Sequence, residues 1–140
     1  MYKTIPEAIE LASGLKRELF DIDSEKLEIA ICPPYTALSE VAEIVFESNI
    51  KLGGQDAHWQ EEGAFTGEIS VKMLKDAGVE FVIIGHSERR QYFGETNQSV
   101  NNKVKAVLKA GLTPIMCVGE TLTERETGKT FDIIKEATVL

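Results

Sequence analysis

The apolar run Phe81-Val82-Ile83-Ile84 is followed at once by Gly85-His86-Ser87-Glu88-Arg89-Arg90. An imidazole, a hydroxyl, a carboxylate and two guanidinium groups thus leave one strand end together. If Ser87 to Arg90 open a helix, the helix's positive end lies beside His86 and favours the uncharged ring. A neutral imidazole is a hydrogen-bond donor that polarises a substrate carbonyl without being consumed as an acid. The competing reading is a loop histidine that only fixes the start of the helix.

A second carboxylate stands at another strand end, where Thr113–Val118 runs into Gly119-Glu120. Glu120 is either an active-site acid or, the preferred reading, an ion-pair partner of Arg89 or Arg90. The segment Gln60-Glu61-Glu62-Gly63-Ala64-Phe65-Thr66-Gly67-Glu68 belongs to a long polar loop that holds one apolar side chain, Phe65. Such a loop reads as a segment that inserts into a partner, or as one that folds back over its own strand ends. Two lookalikes drop out. Gly128-Lys129-Thr130 ends like a phosphate-binding P-loop, but the motif needs glycine at 123, where Thr123 stands. His58, next to Trp59, has no second ligand at metal spacing, so it reads as a loop residue and no metal site is expected.

Alternating elements must position these groups. Ile5, Ile9, Ala12, Leu15 and Leu19 mark one face of a helix, with Pro6 in its first turn. Leu27–Cys32 is a short apolar run stopped by Pro33-Pro34, as expected of a strand buried on both faces. Leu38, Val41, Ala42 and Val45 resume helical spacing, and Ile50–Gly53 reads as a strand. Met73, Leu74 and Ala77 mark a short helix closed by Gly78, and Phe81–Ile84 is the clearest strand. Val100, Val104, Val107 and Leu108 give a helix ending at Gly111, and a last helix starts near Lys129. The order α-β-α-β-α-β-α-β-α, with strands beginning near 27, 50, 80 and 113, predicts an α/β fold of parallel strands with right-handed helical crossovers. Ligands of such folds bind at the C-terminal ends of the strands.

Composition agrees. The 140 residues suit one domain, residues 1–140, and 43% of them are hydrophobic, enough for a core. Fifteen Lys and Arg against 23 Asp and Glu give a formal charge of −8, which argues against nucleic-acid binding. Cys32 and Cys117 sit in apolar runs and read as two buried thiols, not a disulfide framework. Lys3, Glu7 and Glu10 interrupt any signal-peptide core, and no apolar run reaches the roughly 18 residues of a membrane span, so a cytoplasmic protein without membrane contact is expected. Asn97-Gln98-Ser99 matches a glycosylation acceptor, a match without meaning in a cytosolic chain.

Taken together, Gly63-Ala64-Phe65-Thr66-Gly67-Glu68, Gly85-His86-Ser87-Glu88-Arg89-Arg90 and Cys117-Val118-Gly119-Glu120 resemble the triosephosphate isomerase family in order and spacing, and Cys32-Pro33-Pro34 and Phe93-Gly94-Glu95 agree. The resemblance implies a TIM (β/α)8 barrel and an isomerase of glycolysis and gluconeogenesis that interconverts dihydroxyacetone phosphate and D-glyceraldehyde 3-phosphate. It implies a homodimer and no cofactor. His86 corresponds to the electrophilic histidine that stabilises the enediolate oxygen; this family is itself the standard worked case of a histidine kept neutral by a helix N-terminus. Glu88 matches an acidic position of the same catalytic site. Ser87, Arg89, Arg90, Glu95, Cys117 and Glu120 match the supporting shell, and Phe65 and Thr66 match the loop inserted into the other subunit.

The chain departs from the family in extent. A (β/α)8 barrel takes about 250 residues, or about 31 per unit, so 140 residues supply four to five units. By resemblance these are strands two to five of eight, a partial barrel of about four βα units. The family's first-strand lysine is expected just before Met1, and Lys3 is not its equivalent. The glutamate base, the lid and the late phosphate-binding loops are expected beyond Leu140, so no substrate phosphate site is assigned within the chain. The chain alone is therefore expected to be inactive. The alternative is a non-catalytic half-barrel binding or interaction module.

Overall fold

Residues 1–138 are described by a computed structural model. Helix α1 (Ile5–Glu18) begins at Thr4, whose backbone N–H and hydroxyl both donate to Glu7 Oε2, at 2.7 and 2.9 Å. Strand β1 (Ile29–Ile31) is followed by a 3-10 turn (Tyr35–Ala37) and α2 (Leu38–Val45). Strand β2 (Ile50–Gly54), the long loop and α3 (Val71–Asp76) come next. Strand β3 (Phe81–Ile84) leads into α4 (Ser87–Tyr92) and α5 (Asn97–Lys109), and β4 (Thr113–Met116) into α6 (Leu122–Glu126) and α7 (Thr130–Thr138).

All four strands are parallel and lie in chain order, β1-β2-β3-β4. Ile29 pairs with Ile50, Gly53 with Phe81, and Phe81 with Thr113. β1 and β2, and β3 and β4, pair from their first residues, whereas β3 starts opposite the fourth residue of β2, an offset of the kind that curls a parallel sheet toward a barrel. Val82 and Ile84 of β3 are fully buried against Val100 and Val107 of α5, within one core that also takes Leu52, Leu74, Val41 and Ala12. Helices α1, α2 and α5 meet the core with a narrow apolar stripe and line one face of the sheet, whereas the short α4 and α6 bury no residue. No helix among the described residues is long and apolar enough to cross a membrane.

Three expectations need correction. The run from Leu27 to Cys32 is not a strand buried on both faces. Only Ile29–Ile31 pairs, Ala30 is exposed and Leu27 is 55% exposed, because β1 has a described neighbour on its β2 side alone. Cys32 and Cys117 are half-buried rather than buried, since both stand just past a strand end. The helix count is higher than the periodicity suggested. Gly94, at φ +68, separates α4 from α5. A complete capping box, in which Thr121 N–H and hydroxyl donate to Glu124 Oε2 and Thr121 Oγ1 accepts from Glu124 N–H, starts the short α6.

These caps depend on charge. The backbone bond from Thr4 holds the Glu7 carboxyl below its ordinary value, and the one from Thr121 does the same for Glu124. A carboxylate lowered on folding stabilises above its unfolded value, about 4.3, and the effect is lost as pH falls through the folded value. Acid titration followed by backbone amide shifts is expected to move Thr4 and Thr121 in this range. Glu7→Gln and Glu124→Gln are each expected to remove the response at their own cap.

Candidate functional site

His86 sits where β3 ends and is itself the residue that caps α4. Its Nδ1 accepts from Glu88 N–H at 3.3 Å. A ring nitrogen that accepts carries no hydrogen, so the proton resides on Nε2 and that atom is the donor. The side chain is 44% exposed, within reach of a ligand at the strand ends. Glu88, 70% exposed, places Oε2 3.7 Å from the same Nδ1; the amide bond takes precedence, because an ion pair there would need a proton on an atom already accepting one. Ser87 is exposed beside them.

The backbone under His86 is held from three sides. Gly85 has φ +75, and a Cβ there would lie 3.0 Å from Val100 Cγ2, 3.1 Å from Arg90 Nη2 and 3.3 Å from the Cys117 carbonyl, so only glycine fits without displacement. Arg90 reaches back, its Nε donating to Gly85 O at 2.9 Å and its Nη1 to Asn97 Oδ1 at 2.8 Å. Cys117 N–H donates to Ile84 O at 2.8 Å, locking the exits of β3 and β4 together. Burial pushes the Cys117 thiol up, against the opposing charge of Arg90, so it is no ready nucleophile.

Arg89 turns the other way and, half-buried, closes one side of a buried ion cluster. Its Nε lies 2.7 Å from Asp56 Oδ2 and 3.6 Å from Glu95 Oε1, while its guanidinium sits 5.2 Å above the Phe93 ring. Lys103, 4% exposed, donates to both oxygens of Asp56 at 2.8 Å and to Glu95 Oε1. Two cations thus balance two carboxylates. Desolvation pushes the Asp56 carboxyl up, and the bonds and charge of Lys103, with the charge of Arg89, oppose it. Tyr35 Oη donates to the Asp56 carbonyl at 2.5 Å, and burial, then the Asp56 charge, raise the phenol well above its ordinary value.

Asp56, Lys103 and Tyr35 were not among the expected site residues. The signal for Lys103 was present: it falls on the Val100, Val104, Val107 stripe of α5, where a lysine needs a buried partner. Glu120 is near the site but pairs with neither Arg89 nor Arg90. It accepts from Arg125 Nε at 2.7 Å and from Thr130 Oγ1 at 3.1 Å, and Arg125 holds its carboxyl below the ordinary range. The competing arginines are spent on Asp56 and on Gly85. In the long loop, Phe65 is 43% exposed and tilts against the His58 ring at 4.5 Å, which in turn stacks on Trp59 at 4.2 Å. Thr66 is exposed beside it.

In sequence and fold the chain is similar to proteins of one family. The family profile described as triosephosphate isomerase matches residues 1–139. A triosephosphate isomerase of Alkaliphilus oremlandii (strain OhILAs) is 52% identical over 136 residues, 97% of this chain and 54% of the relative. One of Trichodesmium erythraeum (strain IMS101) is 55% identical over 130 residues, 93% of this chain and 54% of the relative. The crystal structure of triosephosphate isomerase from Bartonella henselae superposes with a TM-score of 0.85 at 42% identity, covering 98% of this chain and 56% of that one. The four-stranded sheet is thus a part of a TIM barrel, and the chain spans about half the length of the curated relatives it matches.

Removing one member of the buried cluster leaves the others uncompensated. Lys103→Met is expected to cost about 3–5 kcal/mol, the range for breaking a buried ion pair, read as a lower urea midpoint at unchanged slope.

Proposed function

The chain belongs to the triosephosphate isomerase family, and we propose that it supplies the electrophilic part of a triose-phosphate isomerase site, for interconversion of dihydroxyacetone phosphate and D-glyceraldehyde 3-phosphate in glycolysis and gluconeogenesis. The reaction needs a base that removes a carbon-bound proton and a donor that holds the oxyanion formed. His86 is the donor. The observation that carries this reading is the bond from Glu88 N–H to Nδ1, which leaves Nε2–H as the hydrogen the ring can offer to a substrate oxygen. A neutral donor suits an enediolate, because it stabilises developing negative charge without giving its proton away prematurely.

Glu88 belongs to the catalytic site as the carboxylate beside that ring. Ser87, Arg89, Arg90, Glu95, Cys117 and Glu120 support it: Arg89 and Glu95 through the buried cluster, Arg90 and Cys117 through the strand exits, and Glu120 by ordering the segment after β4. We read residues 1–140 as one stretch of a barrel domain whose base and phosphate-binding loops come from other parts of a longer polypeptide. Phe65 and Thr66 form the contact of a homodimer, and the enzyme works in the cytoplasm without a cofactor.

The 140-residue chain alone is expected to give no turnover in a coupled assay of triose-phosphate isomerisation. In the native polypeptide that carries this sequence, His86→Gln is expected to lower kcat about a hundredfold or more, the range for one oxyanion donor, with KM little changed. Full activity of that variant would remove His86 from the reaction.

A further inference from the structure

We propose that Asn97 is a positioning residue for His86, acting through Arg90 on the Gly85 peptide. The proposal rests on the role given to His86 above. Asn97 is the first residue of α5, yet it does not cap that helix; Thr96 does, accepting Ser99 N–H at 3.2 Å. The Asn97 side chain is free for another task and lies between two groups of opposite demand. Arg90 only donates, and its Nη1 bonds Asn97 Oδ1 at 2.8 Å. Glu136, on α7, accepts, and its Oε1 stands 3.5 Å from Asn97 Nδ2. An amide is the side chain that answers a donor on one side and an acceptor on the other. An aspartate there would set a carboxylate against Glu136, and an alanine would answer neither.

Arg90 depends on this contact. Its Nη2 is buried without a hydrogen-bond partner among the described residues, so its grip consists of Gly85 O at one end and Asn97 at the other. Releasing Asn97 leaves the guanidinium free to swing and the Gly85 carbonyl without a fixed donor. The ring of His86 is sensitive to that movement. Its bond to Glu88 N–H is an N–H···N contact of 3.3 Å, with little length to spare. A small displacement of the Gly85–His86 peptide against α4 breaks it, and the proton is then no longer confined to Nε2.

The two histidines of the chain make the test internal. His58 Nδ1 accepts from Gln60 N–H at 3.2 Å, so both rings carry their proton on Nε2, and His58 lies in the separate long loop. With the native polypeptide labelled with nitrogen-15 histidine, the wild type is expected to show widely separated Nδ1 and Nε2 shifts for both rings. In Asn97→Ala the His86 shifts converge while those of His58 stay put, and kcat falls about tenfold with KM nearly unchanged, as for a misplaced catalytic group. Asn97→Asp combined with Glu136→Gln swaps donor and acceptor and is expected to restore both readings. Unchanged His86 shifts in folded Asn97→Ala, or no recovery in the folded double variant, would overturn the proposal. If the shifts respond in a polypeptide that has no isomerase activity, Asn97 keeps its positioning role and the reaction assigned to His86 is what fails.

Discussion

Three buried charges and the half-buried Arg89, held together, set the frame on which the rest depends. Lys103 approaches from α5, Asp56 from just past β2, Arg89 from α4, and Glu95 from the turn between α4 and α5. Lys103, Asp56 or Glu95 alone in the interior would be costly, and the mutual attraction offsets that cost only when the partners keep their places. The cluster therefore acts as a geometric condition more than as a source of stability. It fixes the short helix α4, which has no buried residue of its own and could not hold its position by apolar packing.

At the strand exit one ring offers both a helix cap and a free donor nitrogen. Whether His86 starts a helix or polarises a ligand looked like a choice between readings. The structure shows the capping half: capping α4 uses Nδ1 as an acceptor, and this leaves Nε2 as the ring's donor. A serine or aspartate would cap the helix as well but would leave no directed donor beyond it.

Much of this was legible in the chain. The apolar runs at Phe81–Ile84 and Thr113–Val118 placed their strands within a residue or two, because strands covered by helices are nearly continuous in apolar residues. The Gly85 to Arg90 segment stood out because unlike polar groups crowd one strand exit, and in the structure His86, Arg89 and Arg90 each hold a structural contact there. What stayed hidden was pairing over distance. Asp56 and Lys103 are 47 positions apart, and no local pattern says which carboxylate a lysine in an apolar stripe will meet. Glu120 misled for the opposite reason: its partner, Arg125, is only five positions away, and the turn that joins them is made by a capping box inside a helix too short to show a period. Leu27 and Ala30 read as core because composition does not reveal how a strand is flanked.

Pairing strands strictly in chain order also bears on how the molecule is assembled. Partners lie 21 residues apart between β1 and β2 (29 to 50), 28 between β2 and β3 (53 to 81) and 32 between β3 and β4 (81 to 113). No described strand waits for a distant one, so each loop closure is short and of nearly equal entropic cost. For a parallel sheet, an architecture that usually folds slowly, this keeps contacts local. A chain emerging from the ribosome can add each strand to the last as soon as the intervening helix has cleared the exit, and the ion cluster can close only when α5 arrives, some twenty residues after β3.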